Sequence, residues 1–128
     1  MANEHDMVTT CPICGQSLTV RALHCDECDS ELHGRFSLPR LARLPRELQD
    51  VVEVFLRCRG NIKEVERELG ISYPTVSKKL DAINLLLATM VGKDAAKARI
   101  LRQLEAGDLG VAEAVRRLNE QTHQEGGA

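Results

Sequence analysis

Four of the five cysteines in this 128-residue sequence stand in two Cys-x-x-Cys pairs. Cys11 and Cys14 form the first pair, and Cys25 and Cys28 form the second. Each pair predicts a tight turn that aims two thiolates at one point, and two such turns supply the four sulfur ligands that tetrahedral zinc prefers. The spacing therefore predicts one structural zinc ion per chain. Four thiolates leave no open position for water, which disfavours a catalytic metal.

Disulfide bonds and redox chemistry are the alternative roles of these cysteines. The N-terminal stretch has neither the basic start nor the apolar run of a secretory signal, so we expect a cytoplasmic protein with reduced thiols. A thioredoxin-like site needs a surrounding βαβ unit, which the pattern does not predict. His24 and His33 flank the pairs, but four sulfurs already complete the tetrahedron, so both are expected to be exposed. Cys58 stands alone in a predicted helix, either as a small buried apolar residue or as a redox-sensing thiol.

The residues around the cysteine pairs predict a small β-hairpin. Gly15 and Asp29 each follow the second cysteine of a pair, where a left-handed backbone is expected. So small a unit has almost no core and is expected to need the metal to fold. Alternating apolar residues predict the two strands, and these are Leu18, Val20 and Ala22, then Leu32, Gly34 and Phe36.

Two short helices separated by a tight turn at Gly70 are predicted in the middle of the chain. Asn61 is a good N-cap for the first, and Glu64 stands where it would complete a capping box. Ser72 is the expected N-cap of the second helix, and Pro74 lies in its first turn. The apolar residues that repeat at helical spacing are Ile62, Val65 and Leu69 in the first helix and Val76, Leu80 and Ile83 in the second.

A support helix is predicted ahead of this pair, beginning at Pro45 and ending before Gly60. Its apolar positions are Leu48, Val51, Val52 and Phe55. Arginines gather at both ends of this helix, where they form either contacts to DNA phosphates or an ordinary solvated surface. These arginines are Arg40, Arg43, Arg46, Arg57 and Arg59.

The last helix of the pair continues through the nearly apolar residues 82–91 and is predicted to end at Gly92. The three leucines at 85–87 cannot all face one small core, because successive residues turn by about 100° around a helix. Either a second copy of the chain or a C-terminal helical hairpin folding back within one chain is expected to cover them. Asp94 is the expected N-cap of that hairpin, which ends at Asn119.

The predicted fold class is mainly α, with a small N-terminal zinc ribbon, a tri-helical helix-turn-helix domain and a C-terminal helical hairpin. The expected domain boundaries are 1–36 for the ribbon, 37–92 for the tri-helical domain, 93–120 for the hairpin and 121–128 for a disordered tail.

Charge and composition narrow the class of function. The net charge of −2 is distributed as −5 over residues 1–34, +4 over residues 35–80 and −1 over residues 81–128. The positive segment contains the predicted helix pair, and local charge determines the attraction of phosphates. Only three aromatic residues are present, too few for a base-stacking platform that binds single strands. No apolar run is long enough to span a membrane.

The spacing of the helix pair resembles the helix-turn-helix of bacterial transcription factors and of sigma-factor promoter-reading domains. The residues that carry this resemblance are Val65, Gly70, Ile71, Val76 and Leu80. Glu66 departs from the pattern, which has a small residue there, so either the two helices cross more loosely or Glu66 pairs with a cation such as Lys79. The alternative is a plain αα-hairpin used as scaffold.

Nearly the whole chain resembles a bacterial family catalogued as a domain of unknown function, most specifically over residues 38–83. The resemblance implies a small cytosolic protein with a zinc ribbon and a helix-turn-helix, presumed to regulate transcription. The expected partner is double-stranded DNA. A homodimer through the C-terminal helices is the second expected partner, and neither a membrane nor a small-molecule substrate is expected.

The residues expected at the DNA lie at the start of the second helix. Tyr73, Ser77 and Lys78 are expected to contact bases or nearby phosphates in the major groove. Thr75 and Lys79 are expected to make flanking contacts to the DNA backbone. The full set is Ser72, Tyr73, Thr75, Ser77, Lys78 and Lys79. The alternative function is a zinc-ribbon adaptor that binds proteins without touching DNA. An enzyme is not expected, because the sequence pairs no nucleophile with a base and has no phosphate-binding loop.

Overall fold

The structure is a computed structural model that describes residues 5–123. The chain divides into two compact units, of which the first ends at Pro45 and the second begins at Arg46. The first unit is a small β structure, and the second consists of helices. The predicted fold class is therefore confirmed.

The first unit is built on one antiparallel hairpin. β1 (Val20–His24) pairs with β2 (Glu31–Phe36), and Leu23 lies opposite Leu32. Between His5 and Phe36 no residue is fully buried, which agrees with the expectation of a unit with almost no apolar core. The connector that follows contains one short 3-10 helix, Leu41–Arg43.

The second unit contains four helices. α1 spans Arg46–Arg57, α2 spans Ile62–Leu69, α3 spans Tyr73–Glu105 and α4 spans Val111–His123. The first three pack against one another, and α4 packs on α3. This order matches the predicted tri-helical domain followed by a helical hairpin.

The core of the tri-helical part is small and apolar. Cys58, Val65 and Val76 form a buried cluster at the centre of the three helices. Cys58 is 8% exposed, so it occupies the apolar position that we expected for it. The partly buried side chains that pack on this cluster are Val54, Phe55, Ile62, Leu69, Ile71 and Leu80.

The turn between α2 and α3 has the predicted backbone, but the predicted side-chain caps are not formed. Gly70 adopts the left-handed conformation, with φ of 65°, and its N–H bonds the Glu66 carbonyl. Asn61 and Ser72 occupy the N-cap positions without capping hydrogen bonds from their side chains. The Ser72 hydroxyl lies 3.0 Å from that of Thr75 instead. The prediction of a capping box between Asn61 and Glu64 was therefore wrong.

The predicted helix end at Gly92 is also wrong, because α3 runs through it as one helix of 33 residues. A glycine inside a helix costs only about 1 kcal/mol relative to alanine, and leucine and alanine residues on both sides favour the helix. The helix ends instead at Glu105, and Gly107, with φ of 79°, follows. Asp94 consequently lies inside α3 and is not an N-cap.

The C-terminal hairpin is formed by the end of α3 and by α4. Ile100 and Ala114 are the buried residues of this part, at 6% and 1% exposed. α4 continues to His123, beyond its predicted end at Asn119. The rest of the segment predicted as a disordered tail, residues 124–128, lies outside the described residues.

Two glycine substitutions test the continuity of α3 and the left-handed turn before it, and they should change the free energy of unfolding in opposite directions. Gly92→Ala should raise the free energy of unfolding by about 0.5–1 kcal/mol, because Gly92 lies in a helix interior where an added Cβ meets no atom within 4 Å. Gly70→Ala should lower it by about 1 kcal/mol, because its positive φ strains an L-residue. Urea unfolding of both variants measures the difference. A destabilised Gly92→Ala variant would contradict a continuous α3.

Candidate metal centre and nucleic-acid interface

The first cysteine pair lies on a tight turn before the hairpin. The Gly15 N–H donates to the Cys11 carbonyl at 2.9 Å, and the Cys11 N–H donates to the Gln16 carbonyl at 2.8 Å. Gly15 has φ of 73°, as the sequence predicted. This backbone places the Cys11 and Cys14 side chains on the same turn, close to each other.

The second pair lies on a turn with the same hydrogen bonds. The Asp29 N–H donates to the Cys25 carbonyl at 2.9 Å, and the Cys25 N–H donates to the Ser30 carbonyl at 2.9 Å. Asp29 has φ of 55°, so the left-handed backbone predicted after the second pair is present too. The two turns are therefore equivalent. In each, the first cysteine forms backbone hydrogen bonds with the residues four and five positions after it.

Hydrogen bonds to sulfur favour the thiolate in both turns. The N–H groups of Cys14 and then Ile13 lower the pKa of the Cys11 thiol. In the second turn the Ser30 hydroxyl, followed by the Ser30 N–H, lowers the pKa of the Cys28 thiol. A donor that bonds the charged form of a group stabilises that form, and zinc binds the thiolate.

The donor set fits zinc, although the four sulfurs do not converge in the structure. Within residues 5–123 no three side chains of His, Cys, Asp or Glu come together closely enough to hold a metal ion. The thiols stand as two pairs, each on its own turn. In four-sulfur sites the bonds to zinc, each about 2.3 Å, bring the ligands together. Cys11, Cys14, Cys25 and Cys28 are the residues that would hold the ion.

The two histidines near the pairs are partnered by carboxylates. The His24 ring lies 3.5 Å from Asp29 and 3.8 Å from both Asp26 and Glu31. The His33 Nε2 atom lies 2.8 Å from Glu31. Both side chains are substantially exposed, which agrees with the expectation that they are surface residues of the ribbon. This acidic group around His24 was not predicted from the sequence.

The predicted reading face lies at the N-terminal end of α3. Tyr73 is 58% exposed, and Ser72 and Lys78 are exposed as well. Thr75 and Ser77 are partly exposed, whereas Val76 between them is fully buried. Helical geometry turns Ser77 and Lys78 away from the core, whereas Tyr73 is exposed because it is the first residue of α3. All three lie at the end of the helix that a helix-turn-helix presents to DNA.

Lys79 differs from the other residues of the predicted set. Its ammonium group forms an ion pair with the Glu47 carboxylate on α1, and its side chain is only 24% exposed. The hydrogen bond from Lys79 lowers the pKa of the Glu47 carboxyl. The Lys79 ammonium group therefore pairs with Glu47 on α1, whereas the sequence had suggested Glu66 as its partner. Glu47 lies 32 residues from Lys79, so no local spacing pointed to it.

Two of the arginines expected near phosphates take part in surface ion pairs. Arg46 lies 3.2 Å from Asp50 one turn further along α1, and Arg57 lies 3.7 Å from Glu68 on α2. All four side chains are more than half exposed, so these pairs contribute little to stability.

The fold and the cysteine turns define the class of protein as a zinc ribbon joined to a helix-turn-helix domain. Residues 11–42 match the family model described as the DUF2089 zinc ribbon, and residues 44–89 match the one described as Domain of unknown function (DUF2089)-HTH. The two matches together cover more than half of the chain, which belongs to the DUF2089 family.

Two further comparisons returned no relative. No curated protein and no solved structure matches the chain. Across residues 5–123, each helix lacks either the length or the apolar character that a membrane crossing requires.

The equivalent cysteine turns predict one zinc ion per chain in protein purified under reducing conditions. Cys25→Ser should abolish zinc binding and unfold the ribbon, while the helical signal persists because the helices form their own compact unit. Metal analysis and circular dichroism measure the two effects. Cys58→Ala is the matched control and should retain the zinc. Less than half an equivalent of zinc in the native protein would contradict the assignment.

Proposed function

We propose that this protein is a sequence-specific transcriptional regulator that binds double-stranded DNA through the start of α3. The observation that carries the proposal is the exposure of Tyr73 and Lys78 in the first two turns of α3, the part of the helix that the buried Val76 anchors to the core. In this proposal zinc has a structural role only, because four thiolates fill its coordination shell.

The charge distribution supports this proposal. Residues 35–80 carry a net charge of +4, while the complete chain is negative. A basic surface attracts phosphates, and the side chains that enter the groove select the sequence. Lys78 supplies a cation at the reading end of α3, and Tyr73 offers a hydroxyl and an apolar ring to base edges.

The alternative is an adaptor that acts in transcription without touching DNA. Two exposed apolar side chains favour it, because Ile13 is 94% exposed and Leu32 is 62% exposed in a segment with a net charge of −5. Gel-shift experiments at 50 and 200 mM salt distinguish the two functions. Phosphate contacts weaken steeply as salt rises, whereas an adaptor binds no DNA at either concentration. Genome-wide recovery of bound DNA would then give the target.

We also propose that the protein is not an enzyme and acts in the cytoplasm. A zinc ion with four thiolate ligands has no open position for water or substrate. The two cysteine turns fit reduced thiols that bind metal, which is the state expected in a reducing compartment.

The reading face gives a prediction on affinity and sequence preference. Lys78→Ala should weaken binding by a similar factor on all sequences and reduce the salt slope by about one, because it removes one phosphate contact. Tyr73→Ala should instead change the preferred sequence. Fluorescence anisotropy with a target and a scrambled duplex measures both effects.

Lys97→Ala is the matched control for charge, because Lys97 is exposed on the same helix about 28 Å further along. It should leave DNA affinity unchanged. If Lys78→Ala and Tyr73→Ala both bound DNA with wild-type affinity, the proposal that α3 lies in the major groove would be wrong.

We propose further that two copies of the chain associate through residues 85–87 and the C-terminal hairpin. Leu85 is 70% exposed, and α4, with 13 residues, runs back along α3 for only about 20 Å. That length brings it close to residue 93, so the hairpin does not cover Leu85. The hairpin itself carries further exposed apolar side chains, and these are Leu101, Val111 and Val115.

Sedimentation at micromolar concentration tests the dimer in the full-length protein. The wild type should have twice the mass of one chain, and Leu85→Glu should dissociate it by placing a charge in the apolar interface. Leu56→Glu is the matched control, because Leu56 is similarly exposed, at 65%, but lies on α1. A wild-type monomer, unchanged by deletion of residues 93–128, would rule out the dimer.

A further inference from the structure

The ion pair between Glu47 and Lys79 joins the reading helix to the support helix. Lys79 lies three residues after the buried Val76 and four before the buried Ile83, whereas Glu47 lies four residues before the buried Val51. The pair therefore lies at the edge of the contact between α1 and α3. Glu47 is 76% exposed, so one partner faces solvent.

Lys78 and Lys79, which are neighbours near the N-terminal end of α3, differ in exposure and in ion pairing. Lys78 is exposed, whereas the Lys79 side chain is only 24% exposed and its ammonium group is held by Glu47. A phosphate contact from Lys79 would require the ammonium group to leave that carboxylate and the side chain to leave its covered position. Lys79 therefore offers less positive charge to DNA than its place in the sequence suggests.

We propose that Glu47 is a positioning residue that withholds Lys79 from DNA phosphates, so that the reading helix binds any DNA sequence with one cationic contact fewer. Contacts to phosphates are independent of sequence and determine non-specific binding, whereas contacts to base edges determine discrimination. Withholding one lysine lowers the non-specific affinity and leaves base reading by Tyr73 and Ser77 unchanged. The inference rests on the proposed DNA binding and adds the control of one contact to it.

Glu47→Gln tests the inference, because it removes the carboxylate charge and keeps the side-chain shape. The variant should bind a scrambled duplex more tightly than the wild type, with a salt slope steeper by about 0.9. The ratio of the variant's affinity to the wild-type affinity should consequently be about threefold larger at 50 mM than at 200 mM salt. Glu53→Gln, which removes one exposed carboxylate from the same helix, is the control and should leave the slope unchanged.

A double variant identifies the source of the extra contact. The gain from Glu47→Gln should disappear in a Lys79→Met background, where the aliphatic part of the side chain is kept and the charge is lost. A gain that persists in that background would overturn the inference, since it would come from net charge alone. An unchanged salt slope in Glu47→Gln would overturn it as well.

Covalent labelling of lysines gives a measurement that needs no DNA. In the wild type, acetylation should modify Lys79 several-fold more slowly than Lys78, and Glu47→Gln should reduce that difference. Equal labelling of both lysines in the wild type would overturn the inference. Slow labelling of Lys79 combined with no DNA binding by any variant would overturn the proposed function and this use of Lys79 together. Normal wild-type DNA binding unaffected by Glu47→Gln would overturn the inference alone.

Discussion

The packing of Val65, Val76 and Cys58 at the centre of the three helices is the constraint on which the reading face depends. Val65 and Val76 are both 0% exposed, and they come from the two helices that flank the Gly70 turn. Since Val76 must point inward, helical geometry directs Ser77 and Lys78 outward, and Tyr73 is exposed in the same turn because α3 begins there. A change in this small cluster would therefore rotate the surface that we propose meets DNA, as well as lower stability.

The two units of the chain are stabilised by different forces. The helical unit buries valine and isoleucine side chains, so the hydrophobic effect stabilises it without help from a metal. The ribbon has no fully buried residue between His5 and Phe36, and its order depends on two hydrogen-bonded turns and one hairpin. Zinc binding would supply the stabilisation that the ribbon lacks, so loss of metal would affect the two units unequally.

Local backbone requirements were predictable from the sequence, and contacts between distant residues were not. Gly15, Asp29 and Gly70 have the positive φ values that their places after a cysteine pair or a helix implied. The end of α3 was mispredicted at Gly92, because a glycine signals a helix end only when its neighbours do not favour continuing the helix. Glu47 could not be predicted as the partner of Lys79, since α1 and α3 meet only in the folded unit.

The two predicted activities of α3 are coupled because it is one continuous helix. Leu85 lies 12 residues after Tyr73, which places it about 18 Å further along the axis and about 120° around it. A helix that ended at Gly92 would have allowed the hairpin to move relative to the reading end. The continuous helix instead fixes residues 85–87, the hairpin and Tyr73 in one frame. A dimer formed through residues 85–87 and the hairpin would therefore also set the distance between the N-terminal ends of its two α3 helices. That distance would in turn set the spacing of the DNA half-sites.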